Sequence, residues 1–146
     1  MNIVLLGANG QLGRELQKHT MHHLIALTHQ ALDITKLTVE SIVALLQQHN
    51  AQVVINAAAY NDTEKAEMER EEAYKINGYS VGVLSSVCHR RGAIFIHIGS
   101  DFVFDGKNKQ AYIETDQANP KGVYGLTKLK GEIEITSNLD NYFIIR

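Results

Sequence analysis

The stretch NIVLLGANGQLGREL, from Asn2 to Leu16, constrains the fold more than any other part of the chain. An aliphatic run, Asn2–Leu6, leads into glycines at positions 7, 10 and 13, and Leu12 and Leu16 then recur at helical spacing. A glycine inside a regular element costs about 0.5–1 kcal/mol relative to alanine, so this cluster needs a steric reason. A strand feeding a glycine turn feeding a helix supplies one. The turn demands backbone freedom, and it gathers free N–H groups at the positive end of the helix, where a pyrophosphate can sit. The spacing is G-x-x-G-x-x-G rather than G-x-G-x-x-G, and tight strand-to-helix turns also use glycine with no ligand. Position at the first turn of a parallel sheet favours the dinucleotide. Gly7, Gly10 and Gly13, with the backbone of Gln11 and Leu12, are the candidate phosphate-binding residues.

Four further apolar runs follow: Leu24–Leu27, Gln52–Asn56, Ile94–Ile98 and Tyr142–Arg146, each short and rich in β-branched residues. They read as strands buried on both faces. Between them lie helix-length segments with apolar residues three and four apart, Thr38–His49, Tyr79–Arg91 and Gly125–Ile135. This repetition predicts an α/β fold, a doubly wound, Rossmann-like parallel sheet of about five strands with helices on both faces. No repeat or linker divides the 146 residues, which are expected to form one NAD(P)-binding domain.

Composition narrows the partners. A net charge of −2 offers no basic field to nucleic acid or to an anionic membrane. Cys88, the only cysteine, excludes an internal disulfide and suits a buried small residue in a reducing compartment. No apolar stretch approaches the ~18 residues of a membrane span, and no basic leader follows Met1, so the chain is expected to be soluble and cytoplasmic. His19, His22 and His23 lack a carboxylate or cysteine to complete a metal set, and no metal is expected.

A dinucleotide site should read the adenosine ribose near the end of the second strand, where the sequence is LTHQALDIT. Thr28, His29 and Gln30 bring no carboxylate there, so nothing repels a 2′-phosphate, and the pattern leans to NADP(H) with NAD(H) as a second possibility. Asp33, with Ile34 beside it, reads equally as a ribose or adenine contact and as a turn cap ahead of Thr38.

Tyr124 and Lys128 stand four apart, on one face of a predicted helix. Such a pair is common on amphipathic surfaces. It is also what acid–base catalysis by a phenol requires, because an ordinary phenol ionises near pH 10 and needs about 4 kcal/mol of electrostatic help to exchange protons near neutrality. The segment IFIHIGSDFVFDG favours the catalytic reading. It is a buried strand ending near Ser100, and ligands of open α/β sheets bind at the carboxyl ends of strands.

With GANGQLGREL, INAAAYNDTEKAE, GSDFVFDG and PKGVYGLTKLKGE, the chain resembles the extended short-chain dehydrogenase/reductases and, among them, the dTDP-4-dehydrorhamnose reductase family. The resemblance implies reduction of the 4-keto group of a dTDP-linked deoxyhexose by NAD(P)H, with a proton from Tyr124. Lys128 would favour the phenolate and hold the nicotinamide ribose, and Ser100 would orient the keto oxygen. Ala57, Ala58 and Ala59 match the stretch where small side chains let the cofactor pass, and Asn77 matches a helix asparagine near the active site, or else a kink or cap. The family usually carries threonine and tyrosine where this chain has Ser100 and Phe102. Its members also continue past the FIIR strand into residues that close the sugar-nucleotide pocket. These 146 residues are therefore expected to be a truncated, cofactor-binding part that binds dinucleotide but reduces no sugar nucleotide by itself, with an apolar fifth-strand edge that favours self-association. Two alternatives stay open: a non-catalytic NADP-binding regulatory subunit, like that of methionine adenosyltransferase, and an inactive remnant.

Overall fold

A computed structural model describes the whole chain from Met1 to Arg146. Its order is β1 (Asn2–Leu6), α1 (Gln11–His19), β2 (His23–Leu27), α2 (Val39–Gln48), β3 (Val53–Asn56), α3 (Arg70–Tyr74), α4 (Ser80–Arg91), β4 (Ile94–Ile98), α5 (Val123–Asn138) and β5 (Tyr142–Ile145). The five strands form one sheet in the order β2-β1-β3-β4-β5, and every neighbouring pair is parallel. Every strand therefore points its carboxyl end at the same rim, and the order reverses between β1 and β3, where an open α/β sheet leaves a crevice.

Local sequence accounts for the boundaries. Thr38 and Ser41 form a capping box that starts α2, each side-chain oxygen accepting the other's backbone N–H at 3.1 Å. Gly92, in the left-handed region at φ 63°, ends α4. The segment from Arg70 to Arg91 is longer than the helix expected from Tyr79, because α3 runs into α4 through a π turn at Lys75–Tyr79. The glycine and asparagine in that turn hide the helical period from a reading of apolar spacing.

Right-handed crossovers place α1 on one face of the sheet and α2, α4 and α5 on the other. The core lies on the three-helix face, where Val4, Leu6, Val54 and Phe95 pack with Ile42, Leu46, Val81, Leu84 and Ile135. A buried side chain of this size contributes about 1.5–3 kcal/mol. The expectation that all five strands are buried on both faces holds only at the centre. β2 and β5 are edges: in β5, Tyr142 and Ile144 pack on the core, whereas Phe143 and Ile145 are 61% and 54% exposed. Apolar runs in edge and central strands look alike in sequence, because the difference is a neighbour rather than a residue type. No helix is long and apolar enough to cross a membrane.

Candidate active site

The first half of the site is made of backbone. After β1 the chain turns at Gly7, whose φ of 78° favours glycine and whose added Cβ would lie 2.6 Å from the Ala58 nitrogen. Gly10 caps α1 without a side-chain hydrogen bond, and its N–H donates to the Gly7 carbonyl at 3.0 Å. Gly13 is buried in the first turn of α1, where a Cβ would collide with the Gly7 carbonyl oxygen and with Ala8. The three glycines therefore let a helix start directly against a strand end and against the β3 loop. As in any helix, the first-turn amides of Gln11, Leu12 and Gly13 have no intrahelical acceptor. No acidic residue occupies that turn, so its positive end is not neutralised.

A cavity of about 310 Å³ opens on this turn, at the crevice between β1 and β3. Of the candidate cofactor residues, Gly7, Gly10, His29, Ile34, Ala57, Ala58 and Ala59 line it, whereas Gln11, Leu12, Gly13, Thr28 and Asp33 do not. Leu6, Asn9, Leu27, Leu32, Thr35, Asn61 and Ile76 line it too; all but Ile76 fall in the strand ends or quoted segments, which mark the region without singling out these residues. The alanine loop is shaped from beneath by Asn56, fully buried, whose Oδ1 accepts the Ala58 N–H at 3.1 Å. Thr28 shapes the turn after β2, its carbonyl accepting the amides of Ala31 and Leu32. Asp33 takes the capping role: its carboxylate accepts the Thr35 N–H at 3.0 Å and the Thr35 hydroxyl at 2.8 Å, and Lys36 lies 3.3 Å away. The Thr35 hydrogen bonds, chiefly, hold its pKa down at about 2. The residues present fit a dinucleotide: the glycine cradle has no room for side chains, and the first-turn amides of α1 beside the cavity have no acceptor within their helix.

The second half is made of side chains. Ser100 lies two residues beyond β4, its Oγ accepting the Phe102 N–H at 3.1 Å in a short 3-10 turn, Asp101–Val103. Tyr124 is the second residue of α5, and its ring meets that of Phe102 edge-on at 5.5 Å. Lys128, one turn further, is 2% exposed, and its Nζ donates to the Ile98 carbonyl at 2.6 Å. All three residues thus converge on the segment Ile98–Phe102. Gly125 permits the approach, because a Cβ there would collide with the Phe102 carbonyl. A second cavity, about 430 Å³, is lined by Tyr124 with Thr63, Asp101, Phe102 and Lys121 among others.

Burial lowers the Lys128 pKa to about 8, against the pull of the Glu132 carboxylate. Glu132, 3% exposed, is held by Arg146 through Nε at 3.2 Å and Nη2 at 2.7 Å. His97 lies beneath, its pKa pushed down to about 3 by burial and then by the charge of Lys128. Because Asn56 Oδ1 is already accepting, Asn56 Nδ2 donates to His97 Nδ1 at 3.2 Å, which leaves the imidazole proton on Nε2, buried and without a partner.

Asn77 is turned away from the cavity. It sits in the π turn, 1% exposed, with Oδ1 accepting the Tyr60 N–H at 2.9 Å and Nδ2 donating to the Tyr60 carbonyl at 3.1 Å and to Thr127 Oγ1 at 3.0 Å.

Over residues 1–146 the chain matches the family described as the RmlD substrate binding domain. It is similar to the dTDP-4-dehydrorhamnose reductase of Burkholderia thailandensis, 34% identical over 148 residues that cover 100% of this chain and 49% of that protein. The dTDP-4-dehydrorhamnose reductase of Escherichia coli is 35% identical over 150 residues, covering 100% and 50% respectively. Among solved structures, a dTDP-4-dehydrorhamnose reductase of Clostridium acetobutylicum superposes with a TM-score of 0.92 at 38% identity, over 99% of this chain and 52% of the other. That of Bacillus anthracis, solved in complex with NADP, gives 0.92 at 30% identity, over 98% and 51%. The chain spans about half the length of the curated relatives it matches.

Proposed function

The chain belongs to the RmlD substrate binding domain family, and from that premise we propose that it is the dinucleotide-holding, proton-donating part of an NADPH-dependent dTDP-4-dehydrorhamnose reductase. The observation that carries this reading is the convergence of Ser100, Tyr124 and Lys128 on the end of β4, on the same rim as the glycine cradle.

The amides at the start of α1 bind the pyrophosphate, and Gly7, Gly10 and Gly13 keep that approach free of side chains. His29 and Ile34 line the adenosine end, and Ala57–Ala59 give the passage over β3 its clearance. When bound, the nicotinamide supplies the hydride that makes the keto carbon a carbinol carbon. Tyr124 gives its phenolic proton to the keto oxygen, and solvent returns a proton to the phenolate. Ser100 donates a hydrogen bond to the same oxygen, holding it in line with the phenol. Lys128, one helical turn on from Tyr124 and fixed by one donor on the Ile98 carbonyl, supplies the positive charge that favours the phenolate and offers its remaining donors to the ribose. Retention of all three residues favours an enzyme over a regulatory subunit that only holds NADP.

Two measurements on the chain test the reading. Fluorescence titration with NADPH is expected to show saturable binding, and its absence overturns the proposal. NADPH oxidation with dTDP-4-dehydrorhamnose is expected to run far more slowly than in a protein of the relatives' full length, since the chain spans half of it.

A further inference from the structure

We propose that Glu67 and Thr127 are positioning residues for Tyr124, together setting the first turn of α5 in register with the loop that lines the dinucleotide cavity. This rests on the reading of Tyr124 as proton donor.

Helix α5 has no cap of its own. Its N-cap is Gly122, with no side chain to offer, and its first turn holds no acidic residue. The free amide of Val123 donates instead to Glu67 Oε1 at 2.7 Å, an acceptor brought from 56 positions upstream. Glu67 is itself held in place, with Arg70 Nη2 lying 3.4 Å from its other oxygen. A Cβ on Gly122 would lie 2.9 Å from Glu67 Oε1, so the missing cap residue and the imported carboxylate are two sides of one arrangement.

Thr127, fully buried, forms the second tie. Its hydroxyl donates to the Tyr124 carbonyl at 2.7 Å and accepts from Asn77 Nδ2 at 3.0 Å. A threonine bonding back to the preceding turn is ordinary in a helix. A threonine that simultaneously accepts from a buried amide on another helix is not. Asn77 reaches it because the π turn at Lys75–Tyr79 carries that side chain inward, where it also clamps both backbone groups of Tyr60.

Tyr124 thus sits between two ties, one before it and one after, and both originate in the segment between Tyr60 and Asn77. That segment begins directly after Ala57–Ala59, and its Asn61 and Ile76 line the dinucleotide cavity. Displacement of the phenol relative to the cofactor is thereby coupled to displacement of the cofactor's own wall. A misplacement of about 1 Å at a reacting group can cost on the order of 100-fold in rate, which is what such a clasp would prevent.

The position of Tyr124 can be read without substrate, as the NOE between the Tyr124 and Phe102 rings in the 146-residue chain. Thr127→Val, which keeps the shape and removes the hydroxyl, and Glu67→Ala are each expected to weaken that ring contact while NADPH affinity stays within about threefold. In a form that reduces the sugar nucleotide, kcat should fall by about 10- to 100-fold with little change in KM. Thr127→Ser and Glu67→Gln, which restore the hydroxyl and an acceptor oxygen, should recover most of both signals. Glu67 is about half exposed, so its removal leaves a folded chain even if Thr127→Val does not. An unchanged ring contact and a kcat within twofold in Glu67→Ala and in the folded Thr127 variants, even with a lowered Tm, would overturn the proposal. Tyr124→Phe separates the two levels: full turnover in that variant ends the reading of Tyr124 as donor, whereas the ring contact alone judges the clasp.

Discussion

The two halves of the proposed site are built on opposite principles. The cradle at Gly7–Gly13 works by the absence of side chains, over a few consecutive residues, with backbone amides as its functional groups. The proposed rim at Ser100, Tyr124 and Lys128 works by side chains, and the helix that carries Tyr124 and Lys128 is tied to residues far away in sequence: the Lys128 ammonium to the Ile98 carbonyl, the Val123 amide to Glu67, the Thr127 hydroxyl to Asn77. Added atoms should therefore damage the first half, and removed atoms the second.

The largest effect should come from the rim. Tyr124→Phe removes one oxygen, and in any form that turns over it should lower kcat by about 10²–10⁴-fold while leaving NADPH affinity nearly unchanged. Steady-state kinetics beside a binding titration checks this; loss of binding as well would mean that the halves are not separable.

Gly13→Ala is the reverse experiment. One methyl group against the Gly7 carbonyl forces a backbone shift that should cost about 1–3 kcal/mol in stability and at least tenfold in NADPH affinity. Gly92 is the control, since its Cβ would meet nothing within 4 Å. Gly92→Ala should show the strain of its positive φ, about 1 kcal/mol or somewhat more, with no effect on binding.

Acid should weaken the fold through His97, which lies beneath Lys128 and holds Asn56 under the alanine loop. His97 has a folded-state pKa of about 3 against an ordinary 6.5, so between those values the unfolded chain holds a proton that the folded one does not. The stability contributed by the neutral ring is thus complete above pH 6.5 and declines as the pH falls towards 3, by up to about 1.4 kcal/mol per pH unit. Urea melts of the parent and of His97→Gln between pH 7 and 4 should differ in slope by up to that amount. Equal slopes would show that the ring ionises freely.

The smallest effect belongs to cofactor choice. With no carboxylate at Thr28 to Gln30, and with Asp33 engaged by Thr35 and Lys36, NADPH should bind at least as tightly as NADH. His29→Asp should shift the ratio about tenfold towards NADH by repelling the 2′-phosphate, about 1.4 kcal/mol. A parent chain that prefers NADH would show that another residue reads the ribose.

What the sequence determined by itself was whatever depends on neighbours along the chain. The strand–glycine–helix turn is legible at Gly7, Gly10 and Gly13 because sterics within one turn dictate it, and the shared face of Tyr124 and Lys128 follows from the helical repeat. The five strands and their parallel direction follow from alternation with helices, although their order in the sheet does not, and the resemblance carried by four motifs agrees with the matched family. The fifth-strand edge was expected from the sequence; only the tertiary structure decided that β2 is the other edge and which side chains of β5 reach the core, Tyr142 and Ile144 packing there while Phe143 and Ile145 stand exposed. It also resolved Asp33 as a cap, turned Asn77 inward through a π turn, and gave α5 a carboxylate from Glu67 in place of a local cap. The Asp33 cap is local, two residues from Thr35, but its choice over a ribose contact depends on how the loop is placed; the Asn77 and Glu67 contacts join residues 17 and 56 positions apart, a pairing that only the assembled fold creates.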